Sequence, residues 1–194
     1  MRTRLGAILA GAATLALSGC FYSDAPLIAA AQRVHPIKAG LWEKLIPFAD
    51  DDWSKLSAED RRAGHCRRFE GANYCSERVT VEDGPDGTYS VTFEGDDEAI
   101  PVAFAPLSGN RYIVQQQEDG ERTYYALATR MSAKRFDVRL PDCDRDRHLH
   151  TYAAPSKDSP AECLVPDRKR LKPLFTAFAR TKGVRPQIYV KVDE

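Results

Sequence analysis

Thr88-Tyr89-Ser90-Val91-Thr92-Phe93-Glu94 is the stretch whose reading decides the fold. Tyr89, Val91 and Phe93 take every second position, with Ser90 and Thr92 between them. Successive side chains of a strand point to opposite faces, so this period of two describes a strand with one buried and one wet side. The alternation recurs in Ile100, Val102 and Phe104, and again in Phe136, Val138 and Leu140 set against Arg135, Asp137 and Arg139.

Turn formers separate these runs: Asp83-Gly84-Pro85-Asp86-Gly87, Gly95-Asp96-Asp97, Ser108-Gly109-Asn110 and Asp119-Gly120. Glycine supplies positive φ, and Asn and Asp bond their own backbone two residues on. Strands at roughly ten-residue spacing read as a sequential antiparallel meander. With Gly40 to Ile46 and a last strand near the C-terminus, the count comes to about eight to ten, a size at which sheets close or fold into two layers. The expected fold is therefore mainly β: an antiparallel meander forming a barrel or strongly curled sheet. Its interior is expected to be lined by Tyr89, Val91, Phe93, Val102, Phe104, Tyr112 and Leu127. Gln115-Gln116-Gln117-Glu118 reads as an exposed strand end approaching a turn.

Helices flank the meander. Asp24 is placed to cap a short one, with Pro26 in its first turn, Leu27, Ile28, Ala31 and Val34 as its apolar stripe, and His35-Pro36 as its stop. Ser57 with Asp60 three residues on resembles a capping box, closed by Gly64. Near the end, Leu171, Leu174, Phe175 and Phe178 recur at helical spacing between Asp167 and Lys182. Pro173 makes this either a kinked helix or a turn followed by a helix starting near 173, and Gly183 is a suitable stop. Gln187 to Val192 then alternates, with Ile188, Val190 and Val192 on one side.

The N-terminus carries an address. Arg2 and Arg4 precede an apolar run from Leu5 to Leu17, the layout of a secretory signal and too short for a helix spanning a bilayer. The run ends in Leu17-Ser18-Gly19-Cys20, which resembles the lipobox of bacterial lipoproteins. That resemblance implies a diacylglyceryl group on the Cys20 sulfur, cleavage between Gly19 and Cys20, and acylation of the new amine. Phe21 rather than Asp follows the cysteine, which by the habit of enteric lipoproteins implies the outer membrane, periplasmic face. The expected organisation is a signal peptide over 1–19, a tether over 20–24, and one disulfide-braced β-rich domain over 25–194.

Without the signal, 26 basic residues (28 less Arg2 and Arg4) face 28 acidic ones, a formal charge of −2. This is not the balance of a nucleic-acid binder, and no polybasic segment follows the lipid. Four cysteines remain: Cys66, Cys75, Cys143 and Cys163. Export and an even count favour two disulfides over a zinc site, since no C-x-x-C pair is present. Of the three pairings, the local ones are favoured: Cys66 with Cys75, and Cys143 with Cys163.

Gly40-Leu41-Trp42 in the first strand, then a meander, a helix near 171 to 182 and a strand at 187 to 192, resembles the plan of a lipocalin. Some bacterial lipocalins are themselves outer-membrane lipoproteins. The resemblance implies that Trp42 closes one end of a barrel whose cavity holds small apolar molecules.

Chemistry-bearing groups are few. In Asp142-Cys143-Asp144-Arg145-Asp146-Arg147-His148-Leu149-His150, an extended chain would put Asp142, Asp144, Asp146, His148 and His150 on one face, a set able to ligate a divalent ion. A calcium loop would need Gly where Arg147 stands and Glu where Ala153 stands, so a solvated loop with arginines neutralising aspartates is the expectation, and no metal or cofactor residue is assigned. There is no G-x-S-x-G, P-loop, G-x-G-x-x-G or H-E-x-x-H, and a disulfide at Cys66 would leave no thiolate beside His65. Arg61-Arg62, Arg67-Arg68 and Arg168-Lys169-Arg170 are candidates for lipid head groups or anionic glycans. Acidic neighbours Glu59, Asp60, Glu70 and Asp167 point instead to a mixed, soluble surface.

The functional expectation is a non-catalytic binding module held at the bilayer through acylated Cys20, taking a small apolar ligand or an envelope protein partner. Small β-barrel lipoproteins that inhibit lysozyme are similar in size, disulfide use and location. A hydrolytic envelope enzyme would require a cleft with a carboxylate or histidine of perturbed pKa.

Overall fold

The computed structural model describes residues 21–48, 53–118, 122–159 and 161–192. The lipobox with Cys20, the acidic run Asp50-Asp51-Asp52 and the Asp119-Gly120 turn lie outside the described residues. In chain order the strands are β1 (Phe21–Ser23), β2 (Gly40–Pro47), β3 (Arg67–Phe69), β4 (Ala72–Asp83), β5 (Tyr89–Phe93), β6 (Ile100–Pro106), β7 (Tyr112–Glu118), β8 (Arg122–Thr129), β9 (Arg135–Arg139), β10 (Ala154–Pro155), β11 (Cys163–Leu164) and β12 (Gln187–Lys191). The helices are α1 (Ala58–Ala63) and α2 (Arg168–Phe178).

Strands β4 to β9 follow one another as an antiparallel meander. β12 then enters between β9 and β2, and β2 pairs with β4, so eight strands close into a barrel. Closure leaves these strands no free edge. The chain turns tightly where the sequence expects it. Asp86 and Gly87 between β4 and β5 adopt positive φ, 54° and 74°, a region that Gly enters freely and Asp tolerates.

One cluster of buried side chains fills the barrel, among them Trp42, Val79, Tyr89, Phe104, Phe136 and Tyr189. Trp42 is fully buried, meets Phe136 edge-on at 5.0 Å, and donates its indole N–H to the Lys38 carbonyl at 3.1 Å. Tyr189 stacks on Phe136 with ring centroids 4.6 Å apart. The last strand thus turns Tyr189 inward and puts Ile188, Val190 and Val192 together on the other side. The flat Phe136–Tyr189 stack fixes that register, and Ile188 is buried on the outer face as well.

A second cluster lies outside the wall of β6, β7 and β8. It is formed by Phe21, Ile28, Leu149, Leu174, Phe175 and Phe178 with Ala105, Ile113, Tyr125 and Leu127 of the strands. Leu127 therefore packs outward, contrary to expectation. Both faces of β8 are covered, so its burial pattern carries no alternation from which to read a side. Gln115 and Gln116 are buried, not exposed: Gln115 accepts the Ile28 N–H at 2.8 Å and Gln116 faces the interior.

Two segments depart from the sequence reading. Phe21–Ser23 is not a tether but a strand, antiparallel to β8 and parallel to β11, with Phe21 0% exposed. The N-terminal helix is reduced to a single 3-10 turn over Ala30–Gln32. The Leu27 N–H donates to Tyr125 Oη at 3.0 Å and the Ile28 N–H to Gln115, which ties this run to β7 and β8. α2 runs unbroken through Pro173, capped by Asp167, whose carboxylate accepts from the N–H groups of Lys169 (2.7 Å) and Arg170 (3.2 Å). The capping box of α1 forms as read, with Ser57 Oγ accepting the Asp60 N–H and Asp60 accepting the Ser57 N–H. Both disulfides have the expected pairing, Cys66–Cys75 and Cys143–Cys163.

Candidate functional site

The space left inside the barrel bears on whether it can hold a ligand. The space left among Val79, Val91, Phe104, Gln116, Phe136 and Tyr189 is about 50 Å³. Small-molecule sites occupy about 300–1,000 Å³, and this space suits only a few waters. One end is crossed by residues 34–38: Val34 donates its N–H to Phe104, and Ile37 and Tyr89 exchange bonds, Tyr89 Oη donating to the Ile37 carbonyl at 2.6 Å and accepting its N–H at 3.2 Å. Further along β2, Lys44 and Glu77 form a largely buried pair at 3.2 Å beside the Phe93 ring. Burial pushes the Tyr89 phenol up to about 12, against the pull of its bond to Ile37.

The Asp142 to His150 run does not converge. It forms consecutive turns and a 3-10 turn over Arg147–Thr151 rather than an extended strand. Asp146 is 1% exposed, accepts the Asp142 N–H at 2.9 Å and pairs with Arg145 at 2.7 Å. Asp142 accepts the Arg145 N–H, and His148 meets Thr181 Oγ1 at 3.2 Å. His150 directs Nε2 to the Cys143 carbonyl at 2.9 Å. The ligand atoms of Cys143, His150 and Cys163 lie within 4.8 Å of one another, but both sulfurs belong to the disulfide and carry no thiolate to offer a metal. The same holds for Cys66 beside His65.

A large concavity lies outside the barrel, between the N-terminal segment, the outer faces of β6 and β7, and α2. It is a groove of about 830 Å³. Its floor is apolar: Leu27, Ile28, Ala105, Ile113, Leu171 and Ala177. Its rim is cationic, with Arg168, Lys169, Lys172 and Arg180, and among the described residues no carboxylate lines it. The helix explains the arrangement. Leu171, Leu174, Phe175 and Phe178 pin one stripe of α2 to the wall, while Arg168, Lys172 and Thr176, four residues apart, form the adjacent stripe that borders the groove, and Arg180 follows just past the helix end.

The other basic groups read from the sequence are engaged. Arg67 pairs with Glu43, Arg68 donates to Asn73, Arg61 lies over the Trp53 ring, and Arg170 donates to the Thr151 carbonyl. The side chains of Arg168, Lys169, Lys172 and Arg180 make no ion pair or hydrogen bond among the described residues, and the nearby Asp167 carboxylate caps the helix. Mixed surface charge therefore describes α1 and β3 but not α2. Lys172 and Arg180 were not read as site residues from the sequence. They stand four and twelve residues after Arg168, and that repeat of four is the signal that finds them.

Among the described residues no helix is long and apolar enough to cross a membrane. No protein-family model matches the chain, and neither a curated protein nor a solved structure is similar to it.

Proposed function

We propose that this protein is a non-catalytic binding module of the bacterial envelope, held at a bilayer through lipidated Cys20, whose site is the groove along α2 and not the barrel interior. The observation that carries this reading is the contrast of volumes: about 830 Å³ outside, within the range of ligand sites, against about 50 Å³ inside. The barrel then serves as a rigid wall that positions the groove. This replaces the interior ligand site expected from the lipocalin-like plan and keeps the apolar ligand.

The start of the fold supports the anchor. Phe21 is already in β1, so lipid on Cys20 would adjoin the folded domain with no free spacer, and acyl chains contribute about 0.8 kcal/mol per buried methylene. The mass of the protein isolated from its host tests the anchor: it should lack residues 1–19 and carry acyl groups. Titration with an uncharged dodecyl amphiphile below its micelle concentration tests the groove. Binding should saturate at one site and be lost in Ala177→Trp, which fills the floor from a partly exposed position.

A further inference from the structure

The charge of the groove says more than its size. Arg168, Lys169 and Arg170 occupy the first turn of α2, the end of a helix whose dipole favours anions. Arg168 and Lys172 stand four apart, a spacing at which like charges repel. The four rim cations face no carboxylate within the groove and have no polar partner among the described residues. In a chain with 28 basic and 28 acidic residues, this is a local departure from balance that weakens the helix it sits on. Rules of local stability are broken in this way where a ligand supplies the missing partner.

An amphiphile meets both halves of the arrangement. An alkyl chain would cover the floor from Leu27 and Ile28 to Ile113 and Ala177, and an anionic head would lie among Arg168, Lys169, Lys172 and Arg180. Position narrows the source. Phe21, the first described residue, is only six residues before Leu27 in the floor, so the two are separated by at most about 22 Å. A lipid anchor next to Phe21 would therefore keep the groove near the head groups of the same bilayer. Resting on the groove as the binding site, we infer that its occupant is an anionic membrane phospholipid, with one acyl chain on the apolar floor and its phosphate held by the cations of α2.

The test uses the full chain with Cys20→Ala, so that it bears no lipid of its own, titrated with submicellar lysophosphatidylglycerol, lysophosphatidylcholine, dodecyl maltoside and glycerol phosphate. Binding is read as the component lost in Ala177→Trp. Lysophosphatidylglycerol should bind at least about tenfold more tightly than lysophosphatidylcholine, and more weakly as salt rises. Arg168→Glu with Lys172→Glu, both at exposed positions, should remove that preference, with a much smaller effect on uncharged dodecyl maltoside. Equal affinity for the two lysolipids would overturn the inference and leave the groove reading standing. Glycerol phosphate binding as tightly as lysophosphatidylglycerol would overturn the lipid and reduce the site to one for phosphate. Failure of all amphiphiles to bind would overturn both the inference and the reading on which it rests. Circular dichroism melts of each variant confirm that the fold is retained.

Discussion

The two clusters of buried side chains share β6, β7 and β8 as a common wall, yet they are built differently. The inner one draws its residues from strands around the whole barrel, whose backbone groups are satisfied by the closed ladder, and almost no space is left. The outer one is assembled from short pieces: β1, the irregular run around Ile28, the turn carrying Leu149, and α2. None of these is long enough to be stable alone. Side chains hold them instead. Ser23 Oγ and Leu27 N–H both meet Tyr125 Oη, at 2.7 and 3.0 Å, and Gln115 receives the Ile28 N–H. The Cys143–Cys163 bridge ties the 142–151 turns to β11. Closure yields a filled interior, whereas piecewise assembly leaves a gap between its pieces, and that gap is the groove.

Substitutions separate the two constructions. Trp42→Ala in the inner cluster should cost about 3–5 kcal/mol. Unfolding by denaturant should stay a single transition, and amide exchange should accelerate across all eight barrel strands. Replacing Cys143 and Cys163 together by Ala should cost about 3 kcal/mol through the unfolded chain. Its exchange signature should differ, with protection falling in α2, β1 and β11 while β4 and β5 stay protected. If both variants loosened the molecule uniformly, the two clusters would be one cooperative unit.

Tyrosines give a matched pair, one in each cluster. Burial pushes both Tyr89 and Tyr125 up to about 12, against an ordinary value of 10. The folded state keeps these protons to higher pH than the unfolded chain. The stabilisation is therefore complete below pH 10 and is lost as pH rises from 10 through 12, by about 2–3 kcal/mol for each group. Stability measured against pH should show this fall, and Tyr89→Phe and Tyr125→Phe should each flatten part of it. The smallest effect serves as a control. Ser57→Ala removes the cap of α1, which belongs to neither cluster, and should cost about 1 kcal/mol with no change in exchange within α2 or β5.

Legibility followed burial. β5 announces itself because one face is more buried than the other, and the alternation of Tyr89, Val91 and Phe93 survives intact in the barrel. In β6 and β9 the alternation is in the sequence only, since Ala103 and Asp137, on the side read as wet, are buried as well. β8 hides its facing because α2 and β1 cover its back. β1 is three residues long and owes its strand to β8 and β11, so nothing in Phe21-Tyr22-Ser23 distinguishes it from a tether. The run around Ile28 carries an amphipathic pattern, and long-range bonds from Gln115 and Tyr125 override it. The disulfide pairing was legible from spacing. The groove was not, because its floor joins residues near 27, 105, 113 and 171 that only the fold brings together. Its rim was half visible: Arg168-Lys169-Arg170 stood out as a basic run, but neighbouring acids suggested neutralisation that does not occur for Arg168 or Lys169.

The most direct test of a solid barrel with its site outside is a crystal structure of the protein with bound lysophosphatidylglycerol. The account predicts an alkyl chain over Leu27, Ile113 and Ala177, a phosphate among Arg168, Lys172 and Arg180, and the packing of Trp42, Phe104 and Phe136 unchanged. A chain threaded into the barrel between Phe104 and Phe136, with α2 free of ligand, would contradict it.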